Sequence, residues 1–212
     1  FKIGIIGCGL IGKKRARSIN SGGKLLYCSD INFEKAKSFS NEFNIKVIKN
    51  WKDLVKKIDL DIIIVATSHE SLPEITSYCI EKNKNVFLEK PGARFSSEIN
   101  QLITLTKNKS IKIHIGYNHR YHRSLKKARQ LVDNDVLGEL MFVRGRYGHG
   151  GRIGYDKEWR ANPLLSGGGE LLDQGSHLID LSLWFLGDFD IIDGFCHTYF
   201  WDMPVDDNGF LI

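Results

Sequence analysis

Near its start the chain runs from the apolar stretch Lys2-Ile3-Gly4-Ile5-Ile6 straight into Gly7-Cys8-Gly9-Leu10-Ile11-Gly12. A strand that ends in GxGxxG and passes into a helix leaves few choices of fold. Gly7 permits the tight turn, Gly9 lets backbone approach a pyrophosphate, and Gly12 lets helix and strand pack closely. The N–H groups and dipole at the helix start favour the phosphates. About 20 residues further on, Asp30 ends a second apolar run, where an acid can accept from a ribose 2′-hydroxyl. The glycines could serve only a tight turn, and Asp30 could be an ordinary strand-end residue. The strand-turn-helix setting with an acid at that distance favours a dinucleotide site instead. An acid there repels a 2′-phosphate, and Ile31 and Asn32 bring no cation to offset it, so NAD is expected over NADP.

Through residue 117 short apolar runs alternate with amphipathic segments, the pattern of a parallel sheet with crossover helices. Strands are expected at Lys2–Gly7, Lys24–Asp30, Lys46–Ile48, Asp61–Thr67, Asn85–Glu89 and Ile111–Gly116. Helices are expected near Ile11–Asn20, Phe33–Phe43, Trp51–Lys57, Leu72–Lys82 and Ser96–Lys107, the last with Ser97 as its N-cap. The fold class is therefore α/β, a doubly wound parallel sheet.

After Gly116 the rhythm changes. A basic helix near Leu125–Val132, a strand at Glu139–Tyr147, and a long glycine-rich stretch from Gly148 to Gly169 are expected, and loops of that length are usually functional or disordered. A helix from Glu170 to Leu186 follows, closed by Gly187, and then a strand through Ile191–Phe200. Residues 1–117 are read as the dinucleotide-binding domain and 118–212 as a second domain. Phe210-Leu211-Ile212 reads as the start of another strand, so the second domain is expected to be incomplete and the chain shortened at its C-terminus.

Composition narrows the function classes. Hydrophobic residues make up 42% of the 212, enough for a real core. The longest apolar stretch, Ile62–Ala66, is strand-sized against the ~18 residues of a membrane span, and no membrane partner is expected. From an opening on Phe1-Lys2-Ile3 no signal peptide is expected within the sequence, the alternative being an N-terminal segment removed ahead of it. The four cysteines, Cys8, Cys28, Cys79 and Cys196, lie far apart without CxxC spacing. They fit scattered thiols in a reducing cytoplasm, and neither a disulfide framework nor a metal site is expected. The net charge of +5 comes from lysines interspersed with acids. Lys13-Lys14-Arg15 and Lys126-Lys127 read as solvated helix faces, and nucleic acid is not an expected partner.

Two further groups carry chemistry. Asn85-Val86-Phe87-Leu88-Glu89-Lys90-Pro91 places a charged pair just past a strand, at the carboxyl edge where doubly wound folds bind ligands. Pro91 biases Lys90 toward extended geometry, fixing its direction; the other reading is a surface salt bridge from Glu89 to a neighbouring lysine. In Gly167-Gly168-Gly169-Glu170-Leu171-Leu172-Asp173-Gln174-Gly175-Ser176-His177, Asp173 and His177 stand four apart on one helix face. A carboxylate beside an imidazole suits a general base near neutral pH, whereas an isolated pair of this kind merely stabilises a helix. Three glycines just ahead cost helix stability, so backbone there is expected to approach another body, such as nicotinamide or substrate.

With GxGxxG, Glu89-Lys90-Pro91 and the Gly167–His177 segment together, the chain resembles the glucose-fructose oxidoreductase, inositol dehydrogenase and rhizopine catabolism (Gfo/Idh/MocA) family over essentially its whole length. The resemblance implies an N-terminal Rossmann domain and a C-terminal α+β domain with a large open, mainly antiparallel sheet, here incomplete. It implies Lys90, Asp173 and His177 as the catalytic group, with NAD held by Gly7, Gly9, Leu10, Ile11, Gly12, Asp30, Thr67, His69, Glu89 and Lys90. His177 would take the proton of a substrate hydroxyl, Lys90 would polarise that oxygen, and Asp173 would bind substrate or orient His177. Asn118 and Arg120 match the family's segment after the sixth strand. Arg152, Tyr155, Trp159 and Arg160 mix cations and aromatic rings suited to sugars and their phosphates, the alternative being loop anchoring. The implied substrate is a sugar, a nucleotide-linked sugar or a polyol, and the implied state of the full-length protein is a homo-oligomer. One departure stands out: where many members carry Ala-Thr-Pro-Asn followed by a His, this chain has Ala66-Thr67-Ser68-His69. A non-catalytic NAD-binding or sensing protein of the same fold is the alternative, and it leaves Lys90, Asp173 and His177 without a purpose.

Overall fold

Six parallel strands of the computed structural model, which describes residues 1–148 and 150–212, form one sheet. His149, inside the glycine-rich stretch, lies outside the described residues. The strands are β1 (Lys2–Ile6), β2 (Lys24–Ser29), β3 (Lys46–Val47), β4 (Ile62–Val65), β5 (Asn85–Leu88) and β6 (Ile113–Ile115), in the order β3-β2-β1-β4-β5-β6. That is the 3-2-1-4-5-6 order of doubly wound dinucleotide folds, whose direction reverses between β1 and β4. Helices α1 (Leu10–Ser18), α2 (Phe33–Phe43), α3 (Trp51–Val55), α4 (Leu72–Glu81) and α5 (Ser96–Thr106) connect them.

The alternation of side chains along β4 explains why this sheet is buried on both faces. Ile63 and Val65 enter a core with Leu54, Leu72, Ile75, Ile80, Val86, Leu88 and Leu102. Ile64 points the other way, into a core with Ile3, Ile5, Cys28, Ala36 and Phe39. A strand that feeds both faces reads as an unbroken apolar run. Local chemistry sets the helix ends: the Asn32 side chain accepts from Lys35 N at 3.0 Å and Asn44 closes α2 in the left-handed region. Helix α5 differs from expectation. Its N-cap is Phe95, not Ser97, and the start is secured by Glu98, which accepts from Arg94 N at 2.9 Å and Phe95 N at 3.2 Å.

The chain divides into two compact units, Phe1–Gly116 and Tyr117–Ile212. The second contains α6 (Arg123–Asp133), α7 (Pro163–Ser166), a π-helical turn at Leu171–Gly175 running into α8 (Ser176–Leu186), and the antiparallel hairpin β7 (Gly194–His197) with β8 (Asn208–Leu211). The expected strand at Glu139–Tyr147 is not formed. No strand among the described residues pairs with it, and Met141, Phe142 and Val143 stay exposed. The strand expected over Ile191–Phe200 is confined to Gly194–His197, the residues β8 can reach. The glycine-rich stretch is more ordered than a loop: turns of 3-10 helix at Tyr155–Lys157 and Trp159–Ala161 set Tyr155 and Ala161 into a small core with Met203, Val205 and Trp201. Of the cysteines, Cys8, Cys28 and Cys79 are buried free thiols and Cys196 is exposed. No described helix is long and apolar enough to cross a membrane.

Candidate active site

The first group of candidate residues lies along the carboxyl edge of the parallel sheet, where the ladder continues past the strand ends. Gly7 N donates to Ser29 O at 2.9 Å, Ala66 N to Ile6 O at 2.8 Å, Glu89 N to Val65 O at 3.0 Å and Gly116 N to Leu88 O at 2.8 Å. Residues following β1, β2, β4, β5 and β6 are thereby held side by side, so that Gly7, Asp30, Thr67 and the Glu89-Lys90 pair share one rim.

Each glycine of the GxGxxG loop has its own physical reason. Gly7 has φ +100°, and a Cβ there would lie 2.3 Å from Ala66 O. A Cβ on Gly12 would lie 2.0 Å from Gly7 O. Both positions are closed by the protein itself. Gly9 is the opposite: a Cβ would meet nothing within 4 Å, so its smallness leaves room for something outside the chain. Gly9 also caps α1, which has no side-chain cap and no acid in its first turn. Its opening N–H groups and positive dipole end thus suit phosphate oxygens. Asp30 Oδ2 accepts from Cys8 N at 2.7 Å and Oδ1 from Asn32 N at 2.8 Å, which fixes the carboxylate beside the loop. The loop, the unfilled space at Gly9 and the oriented acid fit a dinucleotide.

The remaining residues of this unit are placed as follows. Leu10 is exposed and Ile11 half-buried in the first turn of α1. Thr67 Oγ1 donates to Ser68 O at 3.4 Å. His69 is buried and opens the 3-10 turn His69–Ser71 ahead of α4. Lys90 is half-buried and joined to Pro91 by a cis peptide. Glu89 is buried and ion-paired with Arg15 of α1, not with a neighbouring lysine. Burial lifts the Cys79 thiol to about 12, and the hydrogen bond with Cys28 together with burial raises that of Cys8, which disfavours the thiolate at both.

In the second unit Asp173 and His177 are 4% and 5% exposed. Asp173 sits in the π turn, a distortion frequent at functional sites. Its Oδ2 accepts from Arg160 Nε at 3.0 Å and Gln174 Nε2 at 3.0 Å. His177 stacks on His119, with ring centroids 3.9 Å apart, and meets Tyr117 and Tyr147 edge-on at 5.9 and 6.0 Å. Burial, with Asp180 nearby, raises the Tyr117 hydroxyl above its ordinary value.

The candidate substrate contacts are tied into the unit. Arg120 donates to Asp180 Oδ2 at 2.8 Å and Oδ1 at 2.6 Å, a bidentate pair that raises the guanidinium's pKa further. Arg152 meets Glu158 at 2.6 Å, and Arg160 lies 3.6 Å from the same carboxylate and over the Trp159 ring. Tyr155 is buried and donates to Glu170; burial and then that carboxylate push its hydroxyl up. Asn118 is exposed at the start of the 3-10 turn Asn118–Tyr121.

The backbone approach expected of the triple glycine is made to the protein's own chain. A Cβ on Gly169 would lie 1.9 Å from Asp206 O. Asp206 accepts from Gly169 N at 2.9 Å and Leu171 N at 2.8 Å, and so caps the helix that carries Asp173 and His177. Sequence reasoning missed Asp206, His119, Tyr117, Tyr147 and Asp180. A signal for Asp180 existed, since positions 173, 177 and 180 repeat at helical spacing.

Comparison with known proteins places this arrangement. Residues 1–117 match the family model described as "Oxidoreductase family, NAD-binding Rossmann fold", and residues 125–212 match that of the GFO/IDH/MocA C-terminal domain. The chain belongs to this family. Its first 117 residues are a Rossmann domain of the NAD-binding kind. Among GFO/IDH/MocA relatives, levoglucosan dehydrogenase of Pseudarthrobacter phenanthrenivorans is 22% identical over 99% of this chain and 57% of its own. Glucose-6-phosphate 3-dehydrogenase of Bacillus subtilis is 30% identical over 90% of this chain and 55% of its own. The structure of a levoglucosan dehydrogenase with NADH and levoglucosan superposes with a TM-score of 0.88 at 22% identity, over 97% of this chain and 61% of that one, and shares its fold. The chain spans little more than half the length of the relatives it matches.

Proposed function

We propose that the protein is an NAD(H)-dependent dehydrogenase or reductase that acts on a CH–OH carbon of a sugar or polyol. The observation that carries this reading is the shared rim on which the open Gly9 backbone, Asp30 and Lys90 stand. The loop amides from Gly9 to Gly12 would hold the pyrophosphate and Asp30 the ribose hydroxyls. The fixed Asp30 carboxylate, followed by exposed Ile31 rather than a cation, supports NAD over NADP. Bound nicotinamide supplies the hydride chemistry.

The chain's own residues handle the proton and the oxygen. His177, held by its aromatic neighbours, would accept the proton of the substrate hydroxyl as it becomes a carbonyl. The Lys90 ammonium would bind and polarise that oxygen. Asp173, already oriented by Arg160 and Gln174, would bind substrate or steer His177. In reduction each proton moves in the opposite direction. Arg120, Arg152 and Arg160 each face a carboxylate already, which supports an uncharged sugar or polyol over a phosphorylated or nucleotide-linked one.

The test is a screen of the intact protein with NAD and NADP against inositol, free sugars and nucleotide-sugars. Turnover is expected with NAD and an uncharged polyol or sugar. Lys90→Ala should abolish it with the melting temperature near wild type, and His177→Ala should abolish it at a stability cost of about 1 kcal/mol or more, since it also removes the ring stacked on His119. Normal activity in both variants sinks the mechanism, and NAD binding without turnover on any substrate favours a sensor.

A further inference from the structure

The ion pair between Arg15 and Glu89 joins the two functional features of the first unit. Arg15 belongs to the basic run Lys13-Lys14-Arg15, yet its side chain is only 20% exposed and turns inward to Glu89, whose side chain is 9% exposed. Its neighbours do reach outward, Lys13 and Arg17 both pairing with Glu42 on the surface. The Arg15 guanidinium lies 5.1 Å over the Phe87 ring of β5, and a Cβ on Gly116 would come within 3.2 Å of its Nη2. It is therefore packed from two sides and aimed at one acid. Glu89 is held by backbone as well, its N–H donating to Val65 O at 3.0 Å and its carbonyl accepting from Gly92 N at 3.0 Å.

We infer that Arg15 is a positioning residue that acts through Glu89 to lock the Lys90 strand end to the helix that opens at the GxGxxG loop. The inference rests on the reading of Lys90 given above. Helix α1 starts at the nucleotide loop and carries Arg15 in its last turn. The Lys90 backbone follows directly from the acid that Arg15 holds. The dinucleotide loop and the lysine thus form one rigid piece. A buried acid deprived of its partner is left uncompensated, and the next residue in the chain is the cation Lys90.

The experiment compares Arg15→Lys, Arg15→Met and Arg15→Met/Glu89→Gln in the intact protein. Three quantities are read: kcat and KM on the substrate found by screening, NADH affinity by fluorescence, and hydrogen exchange at the Gly92 amide. Arg15→Met is expected to lower kcat by about 10- to 100-fold, the scale of a misplaced reacting group, with NADH affinity within about threefold of wild type. Gly92 exchange should rise about tenfold. Arg15→Lys should recover most of kcat, and the double variant, which removes the stranded charge, should recover part of it. Wild-type kcat and wild-type Gly92 exchange in Arg15→Met overturn the inference, as does a loss confined to NADH affinity. If Arg15→Met does not fold, Arg15→Lys and the double variant decide by the same readings. If the wild-type protein turns over no substrate, the enzyme reading fails, while Gly92 exchange still decides whether Arg15 locks the strand end.

Discussion

The imidazole of His119 lies face to face with that of His177, the ring centroids 3.9 Å apart and the planes 18° from parallel. His119 in turn meets His122 at 4.8 Å and Tyr147 edge-on at 5.0 Å, so the plane of His177 is fixed by a chain of rings. His119→Ala should cost about 1 kcal/mol of stability, the worth of an aromatic pair, and lower turnover by freeing the His177 ring. His119→Phe keeps a flat surface and should restore most of both. Thermal melting with turnover measurements checks this, and equal activity in the two variants would argue that the stack does not position His177.

The glycines of the nucleotide loop should separate into two kinds. Gly9→Ala fills open space and should leave the melting temperature near wild type while weakening NADH binding. Gly12→Ala drives a methyl group into Gly7 O and should destabilise the fold by more than about 2 kcal/mol. Fluorescence titration and calorimetry on the same samples distinguish them.

A parallel contrast is expected at the triple glycine. Gly168→Ala meets only the Leu172 side chain, at 3.2 Å, and should be mild, whereas Gly169→Ala meets the Asp206 backbone and should be severe. Asp206→Ala removes two helix-start hydrogen bonds and should cost about 1–2 kcal/mol. Denaturant unfolding monitored by tryptophan fluorescence reads all three.

Acid should loosen the turn that leads into β8. Asp207 accepts from Tyr199 N at 2.8 Å, Phe200 N at 2.7 Å and Trp201 N at 2.8 Å, and from the Asn208 side chain. Burial disfavours its charge, but these donors outweigh burial and hold the carboxyl at about 2 instead of its ordinary 3.8. Because the folded value is the lower one, the stabilisation is present above the unfolded value and is lost as pH falls through about 2. It is on the order of 2 kcal/mol. The gap in stability between wild type and Asp207→Asn should be full at pH 5 and nearly closed at pH 2. A gap that stays constant across that range contradicts the assignment.

Periodicity reveals what burial on both faces dictates, and so the six strands of the first unit lie within a residue or two of their expected ends. Helix α2 matches at both ends because Asn32 and Asn44 supply the end chemistry themselves. What was not legible depends on distant partners. Glu139–Tyr147 carries the apolar run Leu140–Val143 of a strand, yet a strand forms only where another donates and accepts. Arg15 looks like one more surface cation, since nothing local reports that its side chain reaches an acid 74 positions away. The π turn under Asp173 escapes a search for 3.6-residue spacing. The second-unit arginines have the composition of an anion site, and only their pairing with Asp180, Glu158 and Asp173 reveals that they are already neutralised.

The capping of Gly169 and Leu171 by Asp206 also bears on how the protein is made. The parallel-sheet unit ends at Gly116 and can be finished while later residues are still being added at the ribosome. The helix bearing Asp173 and His177 has no such freedom, because the acid that caps its start lies 37 positions beyond Gly169. Until that acid emerges, the helix start lacks its clamp and Gly169 lacks the backbone it packs against. The nascent chain thus acquires a place for the dinucleotide before it acquires a settled place for the acid and the imidazole.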